Sequence, residues 1–152
     1  MKLFRRSREK YIRDLSGEGA RLFGGRWNPK GVPVIYTSTH ESLAALETLV
    51  HSPISNLPDD LQIATLTIPD DIHIKQIDKS SLPDLWHEFP SPPSLKAIGE
   101  EWTKTGKHLA LMVPSAVIQS ENNILLNPQH EASDGIHFEE IRPFRFDSRL
   151  PH

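Results

Sequence analysis

Within the first third of this sequence stand a glycine-backed arginine, in Gly24-Gly25-Arg26-Trp27-Asn28-Pro29-Lys30-Gly31, a phenol at Tyr36 and a carboxylate at Glu47. Adjacent glycines permit backbone conformations that expose amide N–H groups, and such concavities bind phosphate oxygens. Beside Gly25, Arg26 adds a planar, permanently charged fork that matches a diphosphate. A lone carboxylate near such a fork suits a site that holds an anionic ligand and stabilises a developing cation, as when a nucleotide glycosidic bond breaks. Plainer readings exist for each residue. The glycines could form an ordinary turn whose arginine pairs with a surface carboxylate, and a strand tyrosine is often half-buried packing.

Other chemistries find less support. Eight histidines raise the question of a metal, but no H-E-x-x-H occurs, and His40, Glu41, Glu47 and His51 are accounted for by helix capping and an i,i+4 pair. The glycine pattern has neither P-loop nor GxGxxG spacing. Ser115 follows Pro114 at the end of an apolar run, a place where a hydroxyl can touch a ligand or orient the glutamate. No G-x-S-x-G surrounds it, which argues against a hydrolase nucleophile. A two-carboxylate glycosidase lacks its second inward carboxylate.

Positioning these residues falls to short elements. Leu3-Phe4-Arg5 opens a short strand. Residues 15–31 carry glycines at 17, 19, 24, 25 and 31 and read as a long folded loop. Val32 to Thr37 is a strand, rich in β-branched residues. Ser38 followed by Glu41 has the capping-box spacing and predicts a helix to about His51. Its Leu43, Leu46 and Val50 follow the spacing of a buried stripe, and Glu47 falls on that stripe. A carboxylate there must be paired, protonated or facing a cleft. Leu61–Ile68 and Ile72–Ile77 read as strands joined around Pro69-Asp70-Asp71. Leu95–Thr105 reads as a helix stopped by Gly106. Leu109–Val113 is a buried strand ending at Pro114-Ser115, and Ile124–Leu126 and Ile136–Phe146 complete the strands. The proline-rich stretch Pro83–Pro93 contains Trp86 and Phe89 and reads as a loop packed on the domain. The sum is a compact α+β domain spanning residues 1–152.

The bulk numbers agree with that size and narrow the function classes. At 152 residues the chain can bury a substantial core. A net charge of −3 supplies no field that would draw it to nucleic acid or an anionic membrane. Lack of cysteine excludes disulfides and thiolate metal sites, and no apolar run approaches a membrane span or a signal peptide. A cytoplasmic protein is expected.

Taken together, the Gly24–Gly31 block, Tyr36, Ser42-Leu43-Ala44 through Glu47 to His51, Leu111-Met112-Val113-Pro114-Ser115-Ala116-Val117, Asn127-Pro128-Gln129-His130 and Phe146-Asp147-Ser148-Arg149-Leu150 resemble the RES-domain toxins of toxin–antitoxin pairs. These blocks span nearly the whole chain in the family's order. The resemblance implies Arg26, Glu47 and Ser115 as the name-giving catalytic residues. It adds Tyr36 and Arg5 as pocket residues, with Gly25 in the glycine cradle and Asn127 and His51 at characteristic positions. It further implies a fold like that of the ADP-ribosyltransferases and NAD+ as substrate, with no other cofactor. The nicotinamide–ribose bond would be split with water or phosphate as acceptor, or ADP-ribose passed to a protein. An Xre-type helix-turn-helix antitoxin and a homodimer within the toxin–antitoxin complex are the implied partners. A non-catalytic nucleotide-binding module is the remaining reading.

Overall fold

The computed structural model describes residues 1–151 and places seven strands in one mixed sheet of order β4-β5-β6-β2-β1-β3-β7. The strands are β1 (Lys2–Arg8), β2 (Ile35–Ser38), β3 (Leu61–Thr67), β4 (Ile74–Gln76), β5 (Ala110–Pro114), β6 (Asn122–Leu126) and β7 (His137–Pro143). Three helices accompany them: α1 (Glu18–Phe23), α2 (Glu41–Leu49) and α3 (Pro93–Thr105). All ladders are antiparallel except that of β4 with β5. Among the described residues no helix is long and apolar enough to cross a membrane.

Side chains alternate between the faces of a strand while cross-strand partners share a face. Leu3 lies opposite Leu66, and Ile35 opposite Leu126, which itself faces Ala110. These residues build one core on one side of the sheet, with Ile68, Leu109, Ile124 and Ile136. On the other side Leu111, Val113 and Leu125 pack with Trp27, Val34, Trp86 and the α3 residues Leu95 and Trp102. The functional cleft lies on this second side.

Helix α3 starts with Pro93 at its first turn and ends at Gly106, whose φ of 62° is the left-handed conformation that a helix stop requires. Its Gly99 meets the Trp27 carbonyl so closely that a Cβ there would lie 1.6 Å from the oxygen. Backbone thus packs on backbone, fixing the arginine loop against the helix.

Several local expectations are corrected. The glycine-rich stretch is not loop throughout: residues 18–23 form α1, stitched by the Arg21–Glu18 ion pair at 2.6 Å. The capping box does not form. His40, in extended conformation, precedes α2 without a side-chain cap; Ser38 instead donates to Asn123 Oδ1 at 2.7 Å, and Glu41 pairs with Arg142. On α2 the buried residues are Leu43, Ala44 and Thr48, whereas Leu46 and Val50 are exposed. Glu47 still belongs to the inward face, because at 100° per residue it falls between Leu43 and Ala44. Strand β4 does not form a hairpin with β3 but sits at the far edge of the sheet, beside β5. In the proline-rich loop Trp86 is buried as expected, but Phe89 is 86% exposed.

Candidate active site

Glu47 projects from α2 over the sheet and is held at one oxygen. Its Oε1 accepts from Ser115 Oγ at 2.7 Å and from Asn123 Nδ2 at 2.8 Å. Both donors are themselves fixed. Ser115, fully buried in the turn after β5, accepts at Oγ from the amides of Val117 (3.0 Å) and Ile118 (3.1 Å), so its proton is free to point at Glu47. Asn123 receives the Ser38 hydroxyl at its own Oδ1, which sets its amide so that Nδ2 faces the carboxylate. No protein donor reaches Oε2 among the described residues. The result is an oriented carboxylate with one oxygen left to a ligand.

Arg26 is anchored to the proline-rich loop. Nη1 donates to the carbonyls of Trp86 (2.8 Å) and Glu88 (2.9 Å), so the arginine clamps the proline-rich loop and keeps its other N–H groups for a ligand. Burial lowers its pKa, and the Glu47 charge opposes that shift. It remains a cation at any physiological pH.

The loop bearing Arg26 is tied by Asn28, which has no exposed surface. Asn28 Nδ2 donates to the carbonyls of Ala20 (2.9 Å), Val32 (2.9 Å) and Pro29 (3.2 Å), and its Oδ1 accepts from the Tyr36 hydroxyl at 2.6 Å. The same hydroxyl accepts from the Trp27 amide at 3.2 Å. Tyr36 therefore borders the cleft with its ring while its oxygen positions the arginine loop, instead of being free for a ribose. Burial pushes the Tyr36 phenol far above its ordinary pKa, so it stays protonated and donates. Gly25 must lack a side chain here: a Cβ would lie 2.6 Å from the Tyr36 oxygen. Its carbonyl accepts from Lys96 of α3.

The cleft encloses about 210 Å³ and is lined in part by Phe4, Arg5, Arg6, Tyr36, Ser38, Glu47, His51 and Asn123. Tyr36 and Glu47 thus share this opening; Ser115 reaches it only through its bond to Glu47, Gly25 packs against the Tyr36 hydroxyl, and Arg26 is not among the lining residues. Of the other expected residues, Arg5 contributes to the lining and Asn127 does not. Arg5 turns its guanidinium to the carbonyls of Asp14 and of Tyr11 (3.2 Å), toward the Leu3 side of the sheet. Asn127 is buried and structural: Nδ2 donates to Thr103 O at 3.3 Å and Oδ1 accepts from Gln129 N at 3.0 Å, closing the turn after β6. Among the described residues no group of three or more His, Asp or Glu side chains is placed to hold a metal ion.

Sequence reasoning missed Asn123 and Asn28. Asn28 sits in the quoted glycine block, where three nearby carbonyls needing donors would have been the signal. For Asn123 the only signal is a polar residue at the head of an apolar strand.

Known proteins resemble this chain over nearly its whole length. The RES domain family model matches residues 2–147. A protein named Toxin Res from Yersinia enterocolitica is 37% identical over 99% of both chains, and another of that name from Photorhabdus laumondii is 38% identical, covering 99% of this chain and 97% of its own. The Prs ADP-ribosylating toxin of a Sphingobium strain is 33% identical over 90% of this chain and 86% of that protein. In three dimensions the chain superimposes on a chain of the Mycobacterium tuberculosis MbcT–MbcA toxin–antitoxin complex with a TM-score of 0.76. That match covers 95% of this chain and 84% of the other at 18% identity, a likeness of fold. The expected α+β architecture is therefore the observed one, and the chain belongs to the RES-domain family.

Proposed function

We propose that this protein is the toxin of a toxin–antitoxin pair and consumes NAD+ by breaking the bond between nicotinamide and ribose. The observation that carries the reading is the Glu47 carboxylate, oriented at one oxygen by Ser115 and Asn123 and lining the cleft. The bonding pair leaves with the nicotinamide nitrogen, and the ribose becomes oxocarbenium-like at its anomeric carbon. A fixed carboxylate oxygen stabilises that charge, and because it is already oriented it pays little reorganisation at the transition state. Arg26 would hold the diphosphate and position the bond; the expected glycine cradle would not, since the Gly24 and Gly25 amides already donate to the carbonyls of Ala20 (2.8 Å) and Asn28 (2.9 Å). At about 210 Å³ the enclosed space is below the roughly 300–1,000 Å³ of common ligand pockets. A dinucleotide would therefore run over the rim. An acceptor oxygen, from water or from phosphate as co-substrate, then bonds to the anomeric carbon and loses its proton.

The relative named as an ADP-ribosylating toxin favours a second reading, in which the same cleft passes ADP-ribose to a protein side chain. Neutralisation by an antitoxin is part of the proposal, supported by the fold shared with a chain of a toxin–antitoxin complex; an Xre-type partner and a homodimer within that complex, in the cytoplasm, complete it. NMR of purified protein with NAD+, with and without phosphate, tests the chemistry beside Glu47→Gln. Free nicotinamide from wild type alone is the expected result, and the second product identifies the acceptor: ADP-ribose for water, its 1-phosphate for phosphorolysis. Equal cleavage by a folded Glu47→Gln protein would remove the glutamate from the mechanism. Label from NAD+ appearing on protein would select the second reading.

A further inference from the structure

Arg6 follows Arg5 on β1 and so points to the opposite face, the one shared by Phe4 and, across the ladder, Ser38. Its side chain enters the cleft beside Glu47 and Asn123. There its Nε is buried without any hydrogen-bond partner, and among the described residues no carboxylate pairs with its guanidinium. The other arginines differ. Arg8, Arg21, Arg142 and Arg149 each have a carboxylate; Arg5 and Arg26 are held by backbone carbonyls; Arg13 and Arg145 are exposed to water. Arg6 alone is half-buried and unsatisfied.

A guanidinium in that position is costly, because burial removes water and nothing replaces it. Burial lowers its pKa with no neighbouring carboxylate opposing, whereas Asp14 supports Arg5 and Glu47 supports Arg26. It cannot escape by losing its proton near neutrality. What would satisfy it is an anion with several oxygens, brought by the ligand, with the planar fork matching a phosphoryl group.

We propose that Arg6 is an anion-binding residue of the cleft, donating to phosphate oxygens of the bound ligand and acting with Arg26 on the same phosphate-bearing molecule. It rests on the cleft being a ligand site as argued above, but not on NAD+ cleavage itself. The oxygens belong either to the diphosphate of a dinucleotide or to free phosphate serving as acceptor.

The test measures binding of NAD+, inorganic pyrophosphate and orthophosphate by calorimetry to the full chain carrying Glu47→Gln, with and without Arg6→Gln or Arg6→Lys. A loss on the order of 10-fold or more for NAD+ and pyrophosphate with Arg6→Gln, partly restored by Arg6→Lys, assigns the diphosphate. A loss confined to orthophosphate assigns the acceptor. Unchanged affinity for all three in folded protein overturns the proposal. Thermal melting of ligand-free Arg6→Met separates a structural role: the melting temperature should hold or rise, since an unsatisfied cation is removed, and a fall of several degrees would overturn it. Arg6-dependent phosphate binding without NAD+ cleavage by wild type would leave this inference standing and sink the enzymatic reading.

Discussion

The two walls of the cleft are built on different plans. The carboxylate wall draws on regular elements, with α2 supplying Glu47, β6 supplying Asn123 and the turn after β5 supplying Ser115, and its contacts run from side chain to side chain. The arginine wall is made of two loops, and its contacts run from side chain to backbone: Arg26 to the carbonyls of Trp86 and Glu88, Asn28 to those of Ala20, Pro29 and Val32. Regular elements fix one carboxylate oxygen, which in the proposed reaction would meet the transition state. Loops knotted by buried polar groups fix the arginine, which would serve binding. Changes in the first wall should therefore alter turnover, and changes in the second should alter affinity and stability.

The largest effect expected is on the first wall. Glu47→Gln keeps the shape but removes the charge, and NAD+ turnover should fall roughly 10²–10³-fold, the range seen on removing one transition-state electrostatic partner. Steady-state assays check this, with the melting temperature within a few degrees of wild type. A collapse in stability instead would mean that Glu47 is part of the framework and that the comparison between walls is wrong.

Asn28→Ala attacks the second wall. It leaves the Val32 carbonyl without its donor and the Tyr36 hydroxyl without its acceptor, while the Ala20 and Pro29 carbonyls keep the Gly24 and Val32 amides, a cost of about 3 kcal/mol. For a domain of this size that is a fall of roughly 6–12 °C in melting temperature. Below that temperature the apparent KM for NAD+ should rise while kcat at saturation changes little, because the Glu47 network is untouched. A kcat loss as deep as that of Glu47→Gln would show that the two walls act as one unit.

The legibility of these walls in the sequence differed for the same reason. Glu47 could be read because helix periodicity marks inward positions, although two residues used to define the stripe, Leu46 and Val50, proved exposed. The long apolar runs gave β3 and β5, and Gly106 gave the end of α3, since each is a local signal. Strand order was not readable: β4 follows β3 in the chain yet lies beside β5, a choice made by long-range packing. Ser38 shows how tertiary structure overrides a local motif. Its spacing to Glu41 suits a capping box, but Asn123 and Arg142 offer the two side chains stronger partners. The direction of Arg5 and Arg6 was hidden because it depends on the register of β1 against β3 and β2.

Ser115→Ala and Asn123→Ala sharpen the comparison within the first wall. Each removes one hydrogen bond to a charged oxygen, worth about 1.5–3 kcal/mol. Turnover should drop roughly 10–100-fold in each single variant, less than for Glu47→Gln. Because both donors orient the same Oε1 atom, the double variant should lose less than the product of the two single losses. Strict additivity in a double-mutant cycle would mean that the two donors orient the carboxylate independently.

The smallest effect belongs to Phe89, and it bears on how far the arginine wall extends. Arg26 grips the carbonyl of Glu88, the residue immediately before it, yet the Phe89 ring is 86% exposed. If the wall acts only through the carbonyls that Arg26 holds, the ring contributes nothing to the free protein. Phe89→Ala should then change stability by less than about 0.5 kcal/mol, as for surface positions away from special features. The KM for NAD+ should likewise stay within twofold of wild type. A clear rise in KM with unchanged melting temperature would extend the binding wall beyond Arg26 onto an aromatic rim, and the division between a wall for turnover and a wall for binding would become sharper still.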